Sequence, residues 1–554
     1  MPVQGAPLEN NMKNKANTLA AVFAASLIAL TAFTGCQTEE EPYTGIQFSA
    51  EKTRAAPSAS LTFTATYINE DKADLTKTVE LAISSDSTGG ASFDNSSDTP
   101  VTVKSVTSGS TVTLYLGSYN GIVGITGTVG TSTATFGLGT SEPDVIKASD
   151  RPNGFASVDA RADFGGYSGS LNGTVVTTRT ELKKAIEKGG LIYVKGMIDM
   201  SDEGSGSMMP AEGKTSLDST SARDAWVSSQ TKGAYETYAK WVAADSRACS
   251  SATDDRKGKS PQSSLYETMT SLCDKWKKVV QLDLISNTTV IGIPDDNGVL
   301  GGTRGGVWSI SGTSNIALRN LVIQDAVDPF AHHEANDGFN AQYDAIGIQS
   351  SNKGIAKNIW IDHCTLEDTL KLATSSNGEK WQIYDGLCDI KSAGTKNITV
   401  SYCLFKDHDK TMLFGSSDSD GADNPTNRTI TLHHNYYLGC GQRLPMVRNT
   451  LLHVYNNLYE TSNSGYSNQY AIGIRAGCVI LAEGNSFGGG ISPTRDSYGV
   501  IGGSGNSNGS FGSDPFSPVY AYILDKYSTI AAELKSDTIN GAGAGKVPVY
   551  YTTN

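Results

Sequence analysis

The sequence predicts an all-β protein, a solenoid of stacked strand and turn units with a small immunoglobulin-like β-sandwich ahead of it, and two features carry that prediction. The first is an irregular repeat: NTTVIGI from Asn287, NIALRNL from Asn315, NIWIDHC from Asn358, NITVSYC from Asn397, TITLHHN from Thr429, LLHVYNN from Leu451 and VILAEGN from Val479. Successive starts lie 28, 43, 39, 32, 22 and 28 residues apart, so a unit of about 22 residues carries insertions of varying length. Each unit alternates apolar and polar residues and often continues into a pair such as LF, YY or LY, the pattern of a strand, a sharp turn and a second strand. One such coil cannot bury its apolar face alone. Stacking the coils gives an inward core of Val, Ile and Leu and aligns outward residues in columns at about 4.8 Å spacing. The second feature is compositional: residues 45–140 are rich in Thr, Ser and Val and alternate in LTFTATY, TVELAIS and TVTLYLG between Gly, Ser and Asp turns, as in a small sandwich.

In chain order, residues 1–36 read as a targeting segment, with Lys13 and Lys15 before an apolar run from Leu19 to Leu30 that closes in Phe33, Thr34, Gly35 and Cys36. The run is shorter than the ~20 residues a bilayer span needs. Its ending resembles a bacterial lipoprotein signal, in which the cysteine is lipidated, although Phe33 stands where an aliphatic residue is usual; Met12 is a better start for it than Met1. Export to the cell surface or outer membrane, with membrane attachment through a lipid on Cys36, is therefore expected, and secretion is the alternative. An acidic tether, 37–44, leads into the sandwich, which shows no catalytic constellation and reads as a spacer or weak binding module. The solenoid domain spans 153–554, opening with a strand, helix, strand pattern in which Leu182 and Ala185 have helical spacing. A polar insertion at 201–280, helical around Trp226 to Ala244 and Leu265 to Val279, is expected to shape or cover a groove. The helical stretch YAYILDKYSTIAAELKS, beyond residue 510, is expected to cap the end of the solenoid.

The net charge of −13 makes nucleic acid an unfit partner. An anionic polysaccharide fits only if a divalent cation lies between the two negative surfaces. A monomer is expected. Of the cysteines, Cys249 and Cys273 in the insertion are the expected pair, while Cys364, Cys388, Cys403, Cys440 and Cys478 read as buried small residues.

Asp344 in AQYDAIGI and Asp385 and Asp389 in YDGLCDIK fall at strand starts in neighbouring coils. Residues four apart on a strand share a face, so these three carboxylates can converge into a site for a hard cation such as calcium. Acids paired on a solvated face are the alternative that spacing alone leaves open. Lys410 in DHDKTMLFGSSDSDGADN and Arg443 and Arg448 in GQRLPMVR follow along the solenoid and place positive groups beside that site, a surface suited to uronate carboxylates. The His pairs at 332–333 and 433–434, and Asn457 and Asn485 at corresponding places, read as structural stacks.

Through WIDHCTLEDT, YDGLCDIK, NITVSYCLFKDHDKTMLFGSSD, TITLHHNYY, GQRLPMVR and LLHVYNNLY, the chain resembles polysaccharide lyase family one, the pectate lyases, over about residues 153–500 and most densely over 340–460. The resemblance implies a right-handed parallel β-helix and calcium-dependent β-elimination of α-1,4-linked polygalacturonate, giving 4,5-unsaturated oligogalacturonates. It also implies roles: Asp344, Asp385 and Asp389 as calcium ligands, with Asp385 where some members have glutamate; Arg443 as the base that takes the C5 proton; Lys410 and Arg448 as holders of substrate carboxylates, Lys410 also acidifying that proton. Trp360 to His363 and Pro445 are expected to be architectural. A proton beside a carboxylate is only weakly acidic, so cations at that carboxylate stabilise the charge that develops. A guanidinium is normally protonated, with pKa above about 12, so an arginine base needs desolvation and nearby positive charge. A pectin lyase acting on methyl-esterified chains has no use for three acids and Lys410. A polygalacturonase gives Arg443 no role, and the pairs Asp254-Asp255 and Asp295-Asp296 lie outside the repeats. A non-catalytic polysaccharide-binding β-helix is separated from these only by assay.

Overall fold

The computed structural model describes residues 43–552 except 98, 120, 141–144, 160–171, 215–219, 250–263, 335–337, 371–374, 377–378, 464 and 539. The expected targeting segment and Cys36 lie outside the described residues.

Each repeat folds into the same pair of strands. The alternating run forms a strand of a first sheet, as in Lys396–Ser401, and the apolar or aromatic pair begins a strand of a second, as in Leu404–Lys406. The chain must bend sharply between them, and it does so through one left-handed residue per coil: Asn320, His363, Tyr402, His434 and Asn456 have φ between 49° and 54°. Asn tolerates this conformation, whereas a bulky side chain resists it. The bulky ones are held by stacking on one another, His363 on Tyr402 at 4.9 Å and Tyr402 on His434 at 4.8 Å. A third strand such as Cys388–Lys391 completes the coil.

Among the described residues, three parallel sheets of ten, eight and eight strands result, each strand pairing with its counterpart one coil on. The protein is a parallel β-helix, as expected. Its interior is filled by Ile, Val and Leu and by a stack of Phe405, Tyr437, Tyr459 and Phe487 with centroids 5.1, 4.8 and 4.8 Å apart. Buried amides must be satisfied inside the protein, and two ladders do this. Asn287, Asn315, Asn358 and Asn397 link in order at 2.8, 3.1 and 3.2 Å. Asn435, Asn457, Asn485 and Asn506 link at 3.0 Å each, which bears out the structural reading of Asn457 and Asn485. Trp360 is architectural too: Arg319 lies 4.1 Å over its ring and Ser401 accepts its N–H.

Helix α1 (Arg179–Lys188) is started by a capping box of Thr178 and Glu181. The insertion contains α2 (Ser221–Gln230), α3 (Tyr238–Cys249) and α4 (Ser264–Val280). Trp226, Trp241 and Trp276 close around Phe330 at 5.4, 4.9 and 5.8 Å, so these helices buttress the segment that leads into Asp344. Cys273 is a buried free thiol that donates to Asp328 Oδ2 at 3.5 Å, so the expected pairing with Cys249 does not form. The last helix, α5 (Tyr527–Leu534), also departs from expectation. It packs Ile530 and Leu534 onto Tyr402, Tyr436 and Leu458, along the flank of the solenoid rather than across its end. From there the chain runs back along the coils, where Ala544 N–H donates to Thr365 Oγ1 and Gly545 N–H to Asn320 Oδ1.

Ahead of the solenoid, strands from Gly45–Ser49 to Ser132–Thr140 form sheets of four and five strands that enclose Leu61, Phe63, Val79, Leu81, Val112, Ile125 and Leu138. This unit is fastened to the solenoid where Arg54 meets Asp525 at 3.1 Å, with His434 Nε2 at 3.1 Å from the same carboxylate. Burial disfavours the Asp525 charge, but the His434 hydrogen bond and the Arg54 guanidinium prevail and hold its carboxyl down at about 2. A carboxyl depressed on folding stabilises the protein above its unfolded pKa of ~3.9 and loses that contribution as pH falls through the folded value. Asp525→Asn is therefore expected to lower stability by about 2 kcal/mol at neutral pH. The gap from wild type should close as denaturation is repeated from pH ~4 down to ~2.

Candidate active site

The three acids come together on the third sheet. Asp389 lies on strand Cys388–Lys391 and points outward, between the inward Cys388 and Ile390. Asp385 lies in the segment before that strand, so the same-strand argument for its facing fails. It is brought to the site by the segment before the Gly386–Lys410 bridge instead. Asp344, one coil earlier, accepts the Gly386 N–H at Oδ1 at 3.2 Å. Gly386 is small for a reason: a Cβ there would lie 2.3 Å from Asp389 Oδ1 and 3.0 Å from Asp344 Oδ1. Gly386→Ala is expected to push these carboxylates apart with the denaturation midpoint little changed; if the cluster holds calcium, as the resemblance implies, its affinity should fall by about 10–100-fold, the scale of a disturbed ligand support. Calorimetric titration with calcium checks it.

Asp344 and Asp389 are buried. Burial pushes both carboxyls up, and Asp344 repels Asp389, which rises well above the usual carboxylate range. Asp385 behaves oppositely: burial works against its charge, but Lys410, by charge and hydrogen bond, holds its carboxyl below the usual range. Lys391, two residues after Asp389 and so on the same face, places its Nζ 2.9 Å from Asp344 Oδ2 and 3.2 Å from Asp389 Oδ2. Among the described residues no three His, Cys, Asp or Glu side chains are grouped to hold a metal. Lysine ammoniums lie against all three carboxylates, Lys391 on Asp344 and Asp389 and Lys410 on Asp385. The donor chemistry nonetheless fits calcium, since the oxygens are carboxylate only, two of the groups repel one another, and cations already sit against them. A third ligand from Asp385 requires that carboxylate to turn from Lys410.

The basic residues follow in the next coils. Gly386, Lys410 and Gln442 bridge in parallel, which sets Lys410 one coil from Asp385. Its Nζ donates to Asp385 Oδ1 at 2.8 Å and to Asn340 Oδ1 at 3.0 Å. Arg443, next after Gln442, has φ of 59°, and its carbonyl accepts the Met412 N–H at 2.8 Å. Its charge favours the ionised forms of Asp385 and Asp389, and its Nε is buried with no hydrogen-bond partner among the described residues. Arg448 stands further along the row that contains Lys391, its Nε donating to exposed Asp418 at 2.8 Å. That pair is at the surface and is weak, about 0–1 kcal/mol, so a substrate carboxylate can replace Asp418. The structure thus gathers Asp344, Asp385, Asp389, Lys410 and Arg443, with Arg448 at the margin.

Sequence reasoning missed Lys391, Asn340 and Gly386. Alternation from Asp389 would have found Lys391, which stands in the YDGLCDIK motif; Asn340 comes from a separate excursion and gives no sequence signal. A cavity of about 620 Å³ lined by Lys183, Glu187, Asp274, Lys277 and Asp283 opens beside α1 and α4, and none of the site residues lines it.

A family profile described as pectate lyase matches residues 257–546. Pectate lyase E of Dickeya dadantii (strain 3937) is 36% identical over 303 residues, which is 50% of this chain and 72% of that protein. A pectate lyase of Bacillus subtilis (strain 168) is 36% identical over 318 residues, 52% of this chain and 72% of its own. A solved pectate lyase bound to hexasaccharide superposes with a TM-score of 0.55 at 27% identity, covering 72% of this chain and 98% of that one.

Proposed function

Because the chain belongs to the pectate lyase family and is a polysaccharide lyase, we propose that it cleaves α-1,4-linked polygalacturonate by calcium-dependent β-elimination at the cluster of Asp344, Asp385, Asp389, Lys410, Arg443 and Arg448. The observation that carries this reading is the position of Arg443, one coil beyond Lys410, beside the acids, with a buried Nε that has no partner among the described residues.

Asp344, Asp385 and Asp389 would hold calcium, which when bound would supply positive charge at a uronate carboxylate and so make the neighbouring C5 proton easier to remove. Lys410 is fixed by Asn340 and Asp385 and presents its ammonium where that carboxylate gathers charge. Arg448 and Lys391 orient further carboxylates along the outward row. Arg443, in its neutral form, takes the proton from C5. The C5–H electrons become the C4–C5 double bond, the C4–O bond breaks, and the departing oxygen is protonated from solvent.

Export with lipid attachment at Cys36 stays part of the proposal. It rests on the signal-like sequence, and metabolic labelling with a fatty acid, lost in Cys36→Ala, tests it. The reaction is tested by product mass: in elimination the fragment whose new non-reducing end is unsaturated is lighter by one water than its hydrolytic counterpart. Products at the hydrolytic mass would overturn the proposal.

A further inference from the structure

Resting on the role given to Arg443, we propose that Tyr470 and Arg495 form a positioning pair that holds the Arg443 guanidinium in place through the proton transfer. The pairing of Met446 with Gly473 and the bond from Leu444 N–H to Ala471 O at 2.8 Å put Arg443 opposite Tyr470 in adjacent coils. Tyr470 is buried opposite Arg443, whose positive charge opposes the rise that burial gives its phenol. Gly473 makes room for the ring, since a Cβ there would lie 2.8 Å from Tyr470 Cε2. From the far side, exposed Arg495 sets its guanidinium 5.2 Å from the ring centroid, a cation–π contact. Thr494–Arg495 is the third-sheet strand that follows Ile472–Ile474, so three consecutive coils contribute one residue each.

A phenol suits this task better than a carboxylate. An aspartate in its place would pair with the charged guanidinium and hold it in the form that cannot accept a proton. A hydroxyl donates to the unprotonated nitrogen before the transfer and accepts from the new N–H after it. Burial raises the Tyr470 phenol, so the hydroxyl keeps the proton that it must donate. Arg495 adds a positive charge across the ring from Arg443, and it pins the ring against rotation.

The test compares steady-state kinetics on polygalacturonate for Tyr470→Phe, Arg495→Gln, Arg495→Lys and Arg443→Ala, with calcium affinity measured by calorimetry on each. Tyr470→Phe is expected to lower kcat by about tenfold to 10²-fold, the cost of a misplaced reacting group, with KM and calcium affinity within about twofold of wild type. Arg495→Gln should lower kcat less, and Arg495→Lys should recover most of it. Unchanged kcat in both Tyr470→Phe and Arg495→Gln, with Arg443→Ala inactive, would overturn this inference and leave the role of Arg443 standing. Full activity in Arg443→Ala would overturn both. A fall in kcat for Tyr470→Phe accompanied by an equal loss of calcium affinity would assign the residue to the fold of the site and not to Arg443.

Discussion

Arg443→Ala is expected to lower kcat by about 10²–10⁴-fold, the range for loss of a positioned proton acceptor, while calcium affinity and the denaturation midpoint stay close to wild type. Arg443 supports little of the fold. Its Nε has no partner among the described residues, and the neighbouring strands are joined through its main chain. A left-handed φ of 59° is a strained setting for a long side chain, and alanine shares that strain, so the substitution isolates the guanidinium. Lysine in its place keeps a nitrogen but offers one point where the planar group offers several, and should recover little. Stopped-flow and steady-state rates on polygalacturonate check both variants.

On the proposed mechanism, removing calcium with a chelator is expected to have the second large effect, a loss of turnover of at least about 10²–10³-fold, the scale for removing charge stabilisation from a developing anion. The structure gives a further consequence. Asp344 and Asp389 are buried side by side and their charges are opposed by each other, with Lys391 as the local relief. A ligand that binds only the folded state raises its stability with concentration, so the thermal midpoint should rise on adding calcium. Asp389→Ala should lose both the calcium-dependent activity and this rise. Activity undiminished in chelator would remove calcium from the account.

The solenoid was legible because the same physical problem recurs in every coil. A strand must turn through a left-handed residue into a second strand, and the residues that allow this recur as NIALRN, NIWIDH and NITVSY. Buried amides must be paired, and the ladder of Asn457 and Asn485 shows in the repeat for that reason. The third sheet was harder to read. Its strands shrink to Leu413–Phe414 and Met446–Val447, too short for alternation to register, and its site residues lie in the variable segments between them. Asp385 was therefore assigned to a strand face when it lies in the segment before the strand. Asn340 and Tyr470 were passed over because their meaning depends on which coil lies opposite. The α5 segment misled for another reason: helical spacing reports an apolar face but not the surface that covers it.

The most direct test of the central claim is ultraviolet absorbance of the conjugated C4–C5 double bond as the purified protein acts on polygalacturonate, with calcium, with chelator, and with Arg443→Ala. The account predicts a rise with calcium that both chelator and the variant abolish. New reducing ends without that absorbance would mean hydrolysis, and a rise that survives in Arg443→Ala would mean elimination by another base.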